Sequence, residues 1–122
     1  MDPYLAPEHH RAALITIDVQ RDTLDGQPFE IPGTSAAVPN ILRLAEYFRR
    51  ESQPIVHVVR LYQPDGSNVD LCRRRAVELG ARLVLVGSPG SQLAEPLLPS
   101  PDVVLETTVL LSGKLQPVGA RE

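Results

Sequence analysis

Two short apolar runs, "AALITI" at 12–17 and the core of "QPIVHVVRLY" at 53–62, do most to limit what this chain can fold into. Each is too brief for a buried helix and rich in β-branched residues. Each also lacks the polar alternation of a strand with one wet face, so both predict strands buried on two sides, as in a parallel sheet. Between them Ala37, Ile41, Leu44, Ala45 and Phe48 recur at helical spacing, and Arg49 and Arg50 complement the dipole at the far end. The spacing predicts a helix over 36–51 with Pro39 in its first turn, where a missing N–H is harmless. Strand, crossover helix and parallel strand make a right-handed βαβ unit, which implies an α/β fold.

The segment "QRDTLDGQPFEIPGTS" after the first run mixes Gly, Pro and Asp and predicts a long loop of the kind that carries function. After the second run, "QPDGSN" is a turn leading to a helix at 69–79. Ser67 or Asn68 is its expected cap, Val69, Cys72, Ala76 and Leu79 form its apolar stripe, and Gly80 is its stop. "RLVLVG" at 82–87 is a candidate third strand. From 88 to 122 five prolines break the pattern, predicting a loop-rich stretch, and residues 1–11 read as a polar tail.

A chain of 122 residues is one domain, and 43% hydrophobic with 22% charged residues places it among folded proteins. Twelve basic against fifteen acidic residues, without a single-sign block, point away from nucleic acid and from anionic membrane surfaces. No window approaches the roughly 18 apolar residues of a membrane span, and the start lacks the pattern of a signal peptide. A single cysteine excludes an internal disulfide framework and suits a reducing, cytoplasmic setting. The expected partner is a small molecule.

In an open parallel sheet ligands bind beyond the carboxyl ends of the strands. Asp18 closes the first run and Arg60 ends the second, so both belong to that edge. From the residues alone Asp18 is either a turn cap or a reacting acid, and Arg60 either a contact for an anionic substrate or part of an ion pair. His57, inside an apolar strand, reads as a hydrogen-bonded structural histidine, and Cys72 as a half-buried structural thiol. His9 and His10 lie in the polar tail, and no metal site has enough ligands. "GSPGS" at 87–91 lacks the spacing and lysine of a phosphate loop. "DVQRD" lacks the second acid two residues on that an aspartate-nucleophile phosphatase would need for Mg²⁺.

"ALITIDVQRD", followed by "IPGTSAAVPNILRLAEYFRRESQPIVHVVRLYQPDGSNVDLCRR", resembles the N-terminal half of the isochorismatase-like cysteine hydrolases over about residues 11–115. The Asp-x-Gln of Asp18 to Gln20 and the His-x-x-Arg of His57 to Arg60 carry the likeness. The resemblance implies a three-layer, Rossmann-like α/β sandwich around a parallel sheet, here incomplete, with residues 1–122 as the N-terminal portion of a single domain. It implies a hydrolase of small amide, carbamoyl or isochorismate-type substrates that needs no cofactor and works through an Asp, Lys, Cys triad, in which Asp18 is the acid. The acid and lysine would favour a thiolate, and the thiolate would attack the carbonyl carbon.

The lysine and cysteine of that triad are not found in their places. Cys72 precedes Lys114, reversing the family order, and Lys114 in "LSGKLQP" reads as a loop lysine. The alternative is therefore a catalytically inactive truncated remnant or a protein that pairs with another subunit, including a homo-oligomer, since missing strands leave an apolar edge open.

Overall fold

The computed structural model describes residues 2–98 and the backbone of 106–110. Strands β1 (Leu14–Ile17), β2 (Ile55–Val59) and β3 (Glu106–Leu110) form one parallel sheet in the order β1-β2-β3. Leu14 pairs with Ile55, and Ile55 in turn with Glu106. The first two strands fall on the two apolar runs. The α/β class and parallel sheet expected from them are therefore present.

The strand expected at 82–87 does not form. Tyr62 donates its N–H to Val84 O at 3.0 Å and accepts from Val86 N–H at 3.0 Å, which makes one parallel rung opposite Leu85 and no more. Val84 has φ +40°, a left-handed geometry that a β-branched residue resists, and its N–H turns aside to the Asp22 carboxylate at 2.8 Å. The run is apolar because its residues fill a core, not because they extend. Tyr62, Val69, Leu83 and Val84 are buried together, with Phe29 and Val77 against them. The third strand instead lies at 106–110, inside the stretch read as loop-rich, after two 3-10 turns at Pro89–Ser91 and Glu95–Leu97.

Helix α1 (Thr34–Arg50) begins two residues earlier than the spacing predicts, so Pro39 sits in its second turn and leaves the Ser35 carbonyl without a bond from residue 39. Its start is fixed from the long loop. Asp25 accepts the N–H of Gly33 on Oδ1 and that of Ser35 on Oδ2, both at 2.8 Å, while Ser35 Oγ accepts the Asp25 N–H at 3.0 Å. Two of the orphan donors of the first turn thus find a carboxylate at the positive end of the helix.

Helix α1 lies on one face of the sheet. Val38 joins Val59, Val19, Leu93, Ala94 and Leu97 in the main core. On the same face His57 is fully buried, its Nδ1 2.7 Å from Thr16 Oγ1, as expected for a structural histidine.

Helix α2 (Leu71–Glu78) starts after Asp70, later than predicted, and Gly80 at φ +101° ends it. The expected caps work elsewhere: Asn68 Oδ1 accepts the Gln63 N–H at 2.8 Å, and Ser67 donates its N–H to Asp65 at 2.9 Å. The expected stripe also needs correction. Val69 is buried, but Cys72, Ala76 and Leu79 are exposed, so Cys72 is a solvent-facing thiol and not a half-buried one. Inward-facing Arg73 and Val77 take their place, with the Arg73 guanidinium 3.6 Å from the centre of the Phe29 ring.

The N–H groups of Gly33 and Ser35 hold the Asp25 carboxyl below the usual carboxylate range. A depressed folded-state pKa contributes stability above the unfolded value and loses it as pH falls through the folded one. Asp25→Ala is therefore expected to lower Tm at neutral pH and to weaken amide protection in the first turn of α1. The difference from wild type should vanish in acid, as checked by thermal melts from pH 7 down to about 3.

Candidate functional site

The chain leaves β1 through a sharp turn at Asp18. Its N–H makes the last ladder bond to Val58 O at 2.9 Å, its φ is +56°, and its carbonyl accepts Thr23 Oγ1 at 2.9 Å. Asp and Asn are the non-glycine residues that tolerate this left-handed geometry best, at a cost of roughly 1–2 kcal/mol. The turn directs the side chain along the carboxyl edge, where Arg60 follows β2.

Gln20 sets the distance between these two points. Its fully buried amide accepts the Arg60 N–H at 2.8 Å and donates to Arg60 O at 2.8 Å and to Ser91 O at 2.7 Å. The side chain thereby pairs with the backbone of residue 60 as a neighbouring strand would, and pins the 89–91 turn beneath. Arg21 N–H to Gln92 O at 2.9 Å and Ala94 N–H to Val19 O at 3.0 Å extend the seam. Asp22 completes it from below, lying so close to Gly90 that a Cβ there would collide with its carboxylate.

Above this seam Asp18, Arg60, Asp70 and Tyr62 meet. Arg60 Nη2 is 3.4 Å from Asp18 Oδ2, Nη1 contacts Asp70 Oδ2, and the Tyr62 hydroxyl donates to the same Asp70 oxygen at 2.6 Å. One guanidinium thus spans two carboxylates. Burial raises the Tyr62 phenol above its ordinary value of 10.0, opposed by the nearby Arg60 and Arg73 charges. Asp18 Oδ1 and Arg60 Nε are shielded from solvent and have no hydrogen-bond partner within the described structure. Asp18 Oδ1 is thus a buried acceptor at this edge with no hydrogen-bond partner among the described residues.

Asp18 and Arg60, both expected at this edge, are brought together there. Cys72 stands on the exposed side of α2, two residues beyond Asp70. Lys114 lies outside the described residues. His9 and His10 are exposed at the opposite, amino edge, where a cleft of about 830 Å³ opens between the N-terminal segment, Tyr47 and Gln53. Among the described residues no group of three His, Cys, Asp or Glu side chains could hold a metal ion, and no helix is long and apolar enough to cross a membrane. Sequence reasoning misses the Asp70 and Tyr62 roles, because both depend on the loop after β2 folding back. The polar residue directly ahead of a helix was the available signal for Asp70.

The family model for the Isochorismatase domain matches residues 12–112. A "Probable inactive nicotinamidase" from Arabidopsis thaliana is 30% identical over 98 residues, covering 77% of this chain and 49% of its own length. Among solved structures, an isochorismatase family protein from Desulfovibrio vulgaris is similar at TM-score 0.74 and 32% identity, over 83% of this chain and 52% of that one. The N-carbamoylsarcosine amidase of Thermoplasma acidophilum shares the fold at TM-score 0.60 and 21% identity, over 81% and 50%. The chain spans about half the length of the relatives it matches.

Gln20→Leu would leave the Arg60 N–H and two carbonyls buried without partners. A loss of about 3 kcal/mol in urea unfolding is expected. Because the Tyr62 pKa is raised in the folded state, its contribution is complete below pH 10.0 and is lost as pH rises through the folded value. Melts between about pH 8 and 11 should show stability falling at the alkaline end, with a shallower fall in Tyr62→Phe.

Proposed function

This chain belongs to the isochorismatase family, and on that premise we propose that it carries the acid side of a hydrolase site for a small amide, carbamoyl or isochorismate-type substrate. Asp18 is the proton acceptor. The observation that carries this reading is its placement: a carboxylate at the carboxyl end of β1, with one oxygen turned to Arg60 and the other shielded and unpartnered. A thiol donating its proton to that oxygen would attack a carbonyl carbon as thiolate. Arg60, already between two acids, steadies the Asp18 carboxylate and is in reach of a substrate's negative group at the same edge.

Cys72 is not the nucleophile. It is exposed on α2 and precedes Lys114, which reverses the order of the family's lysine and cysteine. The 122 residues by themselves are read as inactive, as the N-terminal portion of one domain that needs no cofactor and acts in a reducing, cytoplasmic setting. A second reading, a protein of this family that performs no hydrolysis, is supported by the Arg60 clamp, which already neutralises Asp18 with a cation from its own sheet.

Purified chain is expected to release no product above background from nicotinamide, an N-carbamoyl compound or isochorismate. If the gene product containing it is active, Asp18→Asn should lower kcat by at least about a hundredfold while Cys72→Ala leaves it unchanged. Turnover abolished by Cys72→Ala would reverse the assignment of the thiol. Absence of turnover in the intact gene product on all three substrates would favour the second reading.

A further inference from the structure

Two buried atoms at the carboxyl edge complement each other. Among the described residues Arg60 Nε has no acceptor for its proton, and Asp18 Oδ1 accepts from no donor. They belong to side chains that already touch, through Arg60 Nη2 and Asp18 Oδ2. Arginine and a carboxylate favour a fork of two parallel N–H···O bonds, and the side-on form of that fork uses Nε and Nη2 together. The second bond of such a fork is the one that would satisfy both atoms. It is not made, and the first is stretched to 3.4 Å, against the roughly 2.7–2.9 Å usual for a charge-assisted bond.

What holds the guanidinium back is on its other side. Nη1 contacts Asp70 Oδ2, the same oxygen to which the Tyr62 hydroxyl donates at 2.6 Å. Asp70 stands directly ahead of α2, where an aspartate ordinarily accepts the first free N–H groups of a helix, yet its side chain makes no cap bond there. Its carboxylate is turned to Arg60 instead. Tyr62 gives it a fixed footing: the residue is fully buried, its backbone is bonded to Val84 and Val86, and burial keeps its phenol protonated and able to donate. The root of Arg60 is equally fixed, since Gln20 holds both backbone groups of residue 60. Between these anchors the guanidinium is free only to lean toward one acid or the other.

We propose that Asp70, held by Tyr62, is a positioning residue for Asp18. By occupying Nη1 it keeps Arg60 from closing a two-bond fork on Asp18, so that one oxygen of that carboxylate stays unbonded. The cation then steadies the acid without covering it. When Asp70 releases Nη1, the guanidinium turns, Nε donates to Oδ1, and Asp18 loses its unbonded oxygen and becomes a weaker proton acceptor. The consequence for turnover rests on the reading of Asp18 as the proton acceptor, whereas the positioning itself does not depend on whether the site hydrolyses anything.

The arginine side-chain N–H spectrum of the isotope-labelled full chain tests this, with the Arg60 Nε signal identified by its loss in Arg60→Lys. Asp70→Ala is expected to move that signal downfield and to slow its exchange with water about tenfold or more. Tyr62→Phe, which only loosens Asp70, should move it part of the way. When Asp70→Ala is combined with Asp18→Gly, a change the left-handed turn accepts, the move should disappear with the acceptor. An Arg60 signal that stays in place in Asp70→Ala overturns the proposal, as does a move that survives loss of the Asp18 carboxylate. In a gene product that turns over, Asp70→Ala should also lower kcat about tenfold and leave KM little changed. A closed fork with kcat unaltered would uphold the positioning and overturn instead the reading of Asp18 as the proton acceptor.

Discussion

The carboxyl edge of this molecule depends on one buried amide. Parallel strands diverge where they end, because their twist carries them apart and no ladder remains to hold them. Gln20 closes that gap with a side chain that imitates a strand, accepting from and donating to the same residue, Arg60, while also binding Ser91. All three contacts are to backbone. They fix where residue 60 stands whatever its side chain does, and hold it against the turn that begins at residue 18. An apolar residue of the same size would fill the space and leave the polar groups stranded, so the position requires an amide rather than bulk.

On this frame the charges are arranged economically. Asp18 and Asp70 approach from different segments and share Arg60, and Tyr62 donates to the Asp70 oxygen that the guanidinium also contacts. A planar cation with separate donors can serve two acids at once, which a lysine could do only as a point charge. The small core of Tyr62, Val69, Leu83 and Val84 lies directly beneath, so the ion pairs rest on packed apolar residues and have few alternative positions.

How much of this was legible depended on the range of the interactions involved. β1, β2 and α1 announce themselves because burial of a local face sets their periodicity, and Asp18 and Arg60 fall at the strand ends by counting. His57 was readable for the same reason, since a polar residue inside an apolar strand must find a partner. The stretch at 82–87 was misread because an apolar run has the same composition whether it lines a sheet or plugs a core. What decided it was Asp22, sixty-two residues away, taking the Val84 N–H. Cys72 was misplaced because an eight-residue helix with three consecutive arginines has no single apolar face, and Arg73 turns inward onto an aromatic ring. Glu106–Leu110 gave little warning, since a short strand with two threonines looks like a connection until its neighbour is known.

The left-handed backbone at Asp18 also bears on how this position can change over time. Most side chains would strain there before any question of reactivity arose, and only asparagine and glycine could follow aspartate without disturbing the bend. Should the demand for an acid lapse, the first replacements to accumulate would therefore be those two. The local geometry would outlive the chemistry, leaving an intact turn at the strand end as the trace of a lost acid.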